Sequence, residues 1–473
     1  MIILIPLEIG VREIESKTLL SFILAKQCKA KIYLFNKRSL FKKIKYFKDC
    51  IFLDKSLSVT KIKFHHYIAK NNFLLSIDEE GPLYNWDKFT FKARNPEEIY
   101  KKLSINFLQS YYEKNFFKKK FHKKLFVVGH PKYDLLKKPF SDIFINKDQK
   151  FKKKFGKYIF FSSSFNFDVI GGYDKYILFT KKIYLDKKKN SYLFKKFLYY
   201  QKNDYKNYLL FLSTAKFIAE KFPEKKIILR PHPSQDIKLV NKRFKNKPKN
   251  LLIIHEKSSI SWIRQCDFYV HSHCSTSIDA ALMNKKILRI INNDKIEQEN
   301  NPINKNLGYT FKNEMTISKF IEDICNDKKN YIFRHNKISE NYIYNSSNKL
   351  SSLKIANFIN KKFKNKNSNL QLFKNQRDIE KTLLSDFLDF IKRKIKKLIS
   401  YYYVYVFLDF FIDMPPNILL SKEYKDSKMK KSHLLEVPKI INRLNKIVFK
   451  KGIKSIIKIK KINNEIFEIS KNK

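Results

Sequence analysis

The chain has 473 residues, 43% of them apolar, enough for two or three domains of about 150 residues each and too rich in core-forming side chains for wholesale disorder. Its formal net charge of +55 is carried by 88 Lys and 11 Arg spread along the whole length. Reading nucleic acid favours Arg, whose planar fork matches phosphates and base edges, so an anionic membrane or anionic substrate fits this charge better than nucleic acid does.

Five cysteines, Cys28, Cys50, Cys266, Cys274 and Cys325, lie no closer than eight positions apart. That argues against a disulfide framework or a zinc spacing and fits a reducing, cytoplasmic compartment. The opening MIILIPLEIG has no basic leader, and Pro6 and Glu8 cut its apolar run short. It reads as a first buried strand rather than a signal peptide. Residues 17–26 follow as a helix and 31–35 as a strand. Strands at 50–53 and 73–77 flank a helix at 65–70, and a strand at 125–128 closes the first half. A strand at 157–161 opens a second series: helix 208–221, strands 226–229, 251–254 and 268–270, helix 277–283, strand 286–290. Strands alternating with helices imply parallel sheets covered on both faces. Two such series in tandem imply an α/β chain of two doubly wound, Rossmann-type domains facing a cleft.

Residues 168–207, rich in Tyr and Lys, read either as an insertion near that cleft or as a surface loop. Beyond residue 365 the character changes. KFKNKNSN is a linker by composition. Ile379, Leu383, Leu384, Phe387, Leu388, Ile391, Ile395 and Leu398 then recur at helical spacing, the aromatic run YYYVYVFLDFF follows, and the last 33 residues hold ten Lys or Arg against two Glu. This predicts a basic helical extension. It either lies on an anionic leaflet, where each basic residue contributes about 1 kcal/mol, or packs on the body. No apolar stretch of about 20 residues runs uninterrupted, so no spanning helix is expected. The expected domains are 1–150 on the acceptor side, 151–364 for the nucleotide-sugar, and 365–473 as the extension.

Four constellations sit at predicted strand ends, where open parallel sheets place their ligand crevice. Asp78-Glu79-Glu80-Gly81 follows strand 73–77. Crowded carboxylates raise at least one pKa, and a carboxylate so tuned can take a proton from an attacking hydroxyl; the same residues also fit an exposed acidic turn. Arg230-Pro231-His232-Pro233 follows strand 226–229. Its prolines fix an extended loop that presents His232 to a phosphate oxygen, with Arg230 adding a charge-assisted contact. His271-Ser272-His273-Cys274-Ser275-Thr276-Ser277 joins strand 268–270 to helix 277–283. Its hydroxyls and free N–H groups fit an anion, or simply cap the helix through Ser275 or Ser277. Strand alternation would separate His271, His273 and Cys274, so no metal site is expected. Gly129-His130-Pro131 follows strand 125–128 as a turn at the cleft, serving structure or substrate.

Taken together these segments resemble the surface carbohydrate biosynthesis proteins. The likeness runs from Ile5-Pro6-Leu7-Glu8, Val11-Arg12-Glu13 and Ser16-Lys17 through Asp54-Lys55-Ser56 and Asp78 to Gly81. It continues through Gly129-His130-Pro131, Asp134-Leu135-Leu136 and Arg230 to Pro233, and ends with Trp262 and the block 271–282. That family is similar to GT-B glycosyltransferases and, more distantly, to bacterial sialyltransferases and Kdo transferases. The resemblance implies a GT-B-like fold and an inverting, metal-independent transferase without cofactor. Glu79 or Glu80, with Asp78 as a rival, would be the catalytic base. Arg230, His232, His273, Ser275, Thr276 and Ser277 would line the phosphate of a CMP-activated sugar of nonulosonic acid or Kdo type. The acceptor would be a glycan or lipid-linked glycan. This chain departs from the family at His130 and Lys132, usually Asn and Arg, at Ser162 to Ser164, usually part of Asn-Thr-Asn-Phe, and at Asp279, usually Glu. Ser164 and Gly129 can still line the cleft, while Asp279 is one methylene short for a ribose contact. A CDP-glycerol-type or UDP-sugar transferase on the same fold is an alternative. So is a non-catalytic basic protein that holds polysaccharide or membrane.

Overall fold

The structure, a computed structural model, describes residues 1–37, 44, 47–58, 61–79, 91, 94–169, 172–178, 191–232, 235–254, 258–292, 307–326, 340–364, 369–370, 434–449, 457–463 and 466–471. In chain order its strands are β1 (Ile2–Leu7), β2 (Lys31–Asn36), β3 (Phe47–Lys48), β4 (Ile51–Asp54), β5 (Phe73–Ile77), β6 (Ile105–Leu108), β7 (Leu125–Val127) and β8 (Tyr158–Ser162). They continue with β9 (Lys226–Arg230), β10 (Leu251–Ile253), β11 (Phe268–His271), β12 (Lys286–Ile290), β13 (Tyr309–Phe311), β14 (Asn369–Leu370), β15 (Ile457–Asn463) and β16 (Ile466–Lys471).

Two large sheets result, parallel apart from the carboxy-terminal strands β15 and β16, as the alternation of elements predicts for the rest. The first runs β15-β16-β2-β1-β4-β5-β6-β7 and the second β10-β9-β8-β11-β12-β13. β1, β4 and β6 are apolar or nearly so throughout and wholly buried, the pattern of strands covered on both faces. On the first sheet, helices Gly10–Cys28, Ser351–Phe363 and Glu436–Val448 close one face, and Ile62–Asn71 with Glu97–Lys102 the other. On the second, the long helix Ser191–Lys221 and Glu314–Cys325 close one face. Ile145–Phe155, Ser259–Gln265 and Ser277–Leu282 close the other, around the fully buried Trp262. Each sheet reverses its strand order once, between β1 and β4 and between β8 and β11, and a crevice opens at the carboxyl side of such a switch.

Three expectations change. The stretch 168–207 is not a plain insertion, because its last part is the beginning of the helix Ser191–Lys221, continuous with the expected 208–221 segment. Its apolar face is needed to cover the second sheet. The helix Ser351–Phe363 lies at the end of the expected second domain yet packs on the first. Asp134 accepts from Ser351 N (2.9 Å) and Ser352 N (2.7 Å) at its start, and Cys28 Sγ donates to Ala356 O (3.3 Å). The extension is not helical throughout. Helix Glu436–Val448 is followed by the β15–β16 hairpin, which adds antiparallel to the edge of β2. The amphipathic pattern 379–398 and the aromatic run lie outside the described residues. Among the described residues no helix is long and apolar enough to cross a membrane.

Candidate functional site

Helix Gly10–Cys28 starts three residues after β1, so its first turns stand at the carboxyl edge of the first sheet. Glu13 and Lys17, one turn apart, face into that edge. Lys17 Nζ donates to Pro6 O (2.7 Å) and Glu13 Oε2 (2.9 Å) and lies 3.6 Å from Glu79 Oε1. Lys55 Nζ bridges Glu13 and Glu8, each at 2.9 Å, and Lys37 reaches Glu8 at 2.8 Å. Buried charges of this kind persist only when paired, and here alternating signs run from Lys37 to Glu79.

Glu79 ends that chain. Its other oxygen lies 3.4 Å from His130 Nε2. His130 Nδ1 accepts from Lys132 N (3.1 Å), so in the neutral ring the proton sits on Nε2, facing Glu79. Burial opposes ionisation of Glu79, but His130, Lys17 and Arg12 together outweigh it and hold the carboxyl well below the usual carboxylate range. Gly129 precedes His130 at φ +85°, and a Cβ there would strike Asn345. Asn345 is buried and grips the loop from both sides: His130 N donates to its Oδ1, and its Nδ2 donates to His130 O, each at 3.1 Å. Asp78 takes a different course. Both its oxygens accept from Arg94 Nη2, at 2.6 and 2.8 Å, an arrangement that occupies it as a base. Glu80 lies outside the described residues.

In the second lobe the strand ends converge as the motifs suggest. Ser163 N donates to Arg230 O (3.0 Å), tying the loop after β8 to β9. His232 N donates to Gln235 Oε1 (3.0 Å), which also accepts from Ser163 Oγ (3.3 Å). Pro233 lies outside the described residues. Helix Ser277–Leu282 has Thr276 as its N-cap, without a side-chain cap bond, so the N-cap position falls to neither Ser275 nor Ser277. The Thr276 hydroxyl instead meets Tyr269 OH (2.7 Å), Ser162 Oγ (3.1 Å) and Cys274 Sγ (3.1 Å), which ties the 272–276 loop down on the strand switch. His273 Nε2 lies 3.2 Å from Asp204 Oδ1 of the long helix, and its ring stands edge-on to Phe165. Ser164 Oγ is buried with no hydrogen-bond partner.

The lobes touch through Lys132 and Asp279, Nζ to Oδ1 at 3.9 Å. Asp279 Oδ1 is buried without a hydrogen bond; burial pushes its carboxyl up against the pull of Lys132 and His130. One line of ionisable groups thus runs from Glu79 through His130 and Lys132 to Asp279 on helix Ser277–Leu282 of the second lobe. The closed hollow beside Glu79, lined by Lys17, Asp54 and His130, holds about 10 Å³, room for roughly one water. The residues that line it all belong to the first lobe. A wider hollow of about 350 Å³ lies at the amino ends of β8, β9 and β11, between Lys157, Lys225 and Lys226. It is the larger space at the wrong end of the sheet, since ligands of such sheets bind beyond the carboxyl ends.

Sequence reasoning missed Gln235, Asp204 and Asn345 as site-shaping residues. None stands in a motif, and each acts through a contact far along the chain. Lys17 had a usable signal, its i, i+4 spacing from Glu13 on the first helix after β1.

No protein-family model matches the chain, and no curated protein matches it. Among solved structures it is similar to a variant of the wall teichoic acid polymerase TagF, at 10% identity over 77% of this chain and 89% of that one, TM-score 0.49. It is also similar to the UDP-GlcNAc 2-epimerase from Neisseria meningitidis bound to UDP-GlcNAc, at 11% identity over 76% of this chain and 100% of that one, TM-score 0.46. A third is the UDP-GlcNAc 2-epimerase of Methanocaldococcus jannaschii, at 13% identity over 76% and 99%, TM-score 0.44. At these values nothing about substrate or chemistry follows from the likeness.

Proposed function

We propose that the chain is an inverting glycosyltransferase of bacterial surface polysaccharide assembly that uses a nucleotide-activated donor. The observation that carries this reading is the meeting of two strand-end crevices. Glu79 and His130 of one lobe stand 3.4 Å apart, and Lys132 of the same loop reaches Asp279 of the other lobe. In this reading the acceptor oxygen attacks the anomeric carbon from the side opposite the nucleotide phosphate. The bond from carbon to phosphate oxygen breaks with its electron pair on the phosphate, and the acceptor proton passes to Glu79. A carboxylate held this low is a weak base, so the proton moves late, once the new bond has made the hydroxyl acidic. Arg230 and His232 meet the charge that grows on the leaving group. The acceptor is a glycan or lipid-linked glycan. The exposed lysines of β15, Lys458, Lys460 and Lys461, support a contact with an anionic membrane surface, while the rest of the described extension packs on the first lobe.

Glu79→Gln tests the base. Transfer is expected to fall by about 10²–10⁴-fold while donor affinity, read by titration calorimetry, stays within twofold of wild type. Turnover that survives the change would remove Glu79 from the reaction. A wild-type chain that binds no nucleotide would point to a polysaccharide-holding protein instead.

A further inference from the structure

Helix Ser191–Lys221 is far longer than the sheet it covers. Its 31 residues span about 46 Å, whereas the five residues of β9 span about 17 Å. From Lys221 the chain turns back into β9 at Lys226, so the helix ends at the amino edge of the sheet and begins beyond the carboxyl edge. Tyr208, Phe211, Leu212, Ala215, Ile218 and Ala219 of its second half are buried in the core. The first half is an overhang, and it rests on the segments that follow three strands. Asn207 Oδ1 accepts from Asn292 N (2.7 Å) after β12, and Asp204 Oδ1 lies 3.2 Å from His273 Nε2 after β11. Tyr205 packs on the segment after β8. Its ring is stacked on Tyr173 (28°, 4.6 Å) and stands edge-on to the buried Phe167 (76°, 5.1 Å). Arg243 borders this pair: its Nη1 donates to Tyr205 OH (3.4 Å) and its Nη2 to the buried Asp168 Oδ1 (2.8 Å). Gly172, at φ +111°, allows that guanidinium its approach, because a Cβ there would stand 2.9 Å from Nη2. Tyr173 and Tyr205 are half-buried.

We propose that this shelf is a subsite for the glycan acceptor, in which one sugar ring of the chain lays its C–H face on the Tyr173–Tyr205 pair and turns hydroxyls to Arg243. It rests on the transferase reading above and adds a place where a polymer is held away from its reacting end. The chemistry of the two surfaces matches. A sugar ring is apolar on its C–H faces and polar round its rim; a tyrosine pair offers an apolar face with hydroxyls at the edge, and binding sites combine such faces with a few fixed polar groups. A purely apolar partner would strand the guanidinium and phenol groups beside the rings, whereas a hydroxylated ring meets them. The position matches too. The core that the helix closes ends at Tyr208, so the overhang is not needed to cover the sheet. The segments it rests on follow β8, β11 and β12, which places the shelf at the rim of the crevice that opens where the strand order reverses.

The probe is the surface polysaccharide of the cells that make this protein, cut by mild acid into oligosaccharides, sorted by length and titrated against the full chain by calorimetry, with cytidine and uridine titrated alongside. Affinity is expected to rise with length by about tenfold and then level off. Tyr173→Ala should erase that gain and leave the affinity of the shortest oligosaccharide in place. Tyr173→Leu, which keeps apolar volume but not the flat face, repeats the test should the alanine variant melt early. Tyr205→Phe, which keeps the ring, should retain the gain, as should Tyr199→Ala, an exposed tyrosine of the same overhang outside the pair. Affinity independent of length in wild type, or no oligosaccharide binding at all, would overturn the inference and leave the transferase reading standing. A gain that survives both Tyr173 variants, or a loss equal at every length, would overturn it as well. So would a fall in nucleoside affinity with the length gain intact, since the pair would then hold a base. The transferase reading fails separately: a wild-type chain that shows the length gain and binds no nucleotide would sink that reading and leave the shelf in place.

Discussion

Glu79 and Glu113 are both buried carboxyls near the carboxyl edge of the first sheet, and their surroundings drive them apart. Glu79 sits among cations and stays ionised. Glu113 lies in the first turn of the helix that Ser110 caps, accepting from Gln109 N (2.8 Å), and burial pushes its carboxyl up to about 8, with Asp78 adding to the rise. Its folded value stands above its ordinary value of 4.5, so the native state keeps a proton that the unfolded chain releases. Stability must then fall as pH rises from about 4.5 to about 8. Glu113→Gln preserves the hydrogen bond to Gln109 without the titration. Its melting temperature should rise relative to wild type through that window, and an offset constant with pH would refute the assignment. The acidic triplet was legible as a cluster, but the sequence could not tell its members apart. Arg94, which engages Asp78, and Lys17, which stabilises Glu79, lie 16 and 62 positions away from them.

The end of the chain illustrates the same gap among elements. Its basic character was readable; its closing helix, its hairpin and their partner were not. Val437, Ile440, Ile441 and Leu444 of helix Glu436–Val448 are buried against the first lobe. β16 pairs with β2, and Tyr33 OH donates to Glu468 Oε2 (2.8 Å). β15 becomes the new edge and exposes Lys458, Lys460 and Lys461, charges that discourage pairing with another chain. Leu444→Ala should cost about 2–5 kcal/mol in denaturant unfolding of the whole chain. A loss below about 0.5 kcal/mol would mean that this helix is not part of the folded body. Most strands of the two large sheets were easier to read, because a parallel strand buried on both faces is a continuous apolar run; β6, interrupted by Asn106, and the short edge strand β13 were missed.

For the whole molecule, the lobes are joined by the Lys132–Asp279 contact and by the segment carrying Asn345, which binds His130 and Asp134 before the chain enters helix Ser351–Phe363. Asp279→Lys places like charges across the cleft. The radius of gyration from small-angle scattering should rise and kcat/KM fall. Adding Lys132→Asp should recover part of both, with a coupling of about 0.5–3 kcal/mol in the double-mutant cycle. Strict additivity would show that the pair does not hold the lobes together.

The amino-acid order by itself determined the alternation of elements, the two tandem α/β units and the placement of each motif at a strand end, because apolar periodicity and turn chemistry act over a few residues. Only the tertiary structure decided which charges pair around Glu79, how the carboxy-terminal hairpin extends the first sheet, and that Tyr173 and Tyr205 stack beside Arg243. Those outcomes depend on strand register and helix packing between segments tens to hundreds of positions apart. Local sequence does not encode such alignment; the burial of both sheets imposes it.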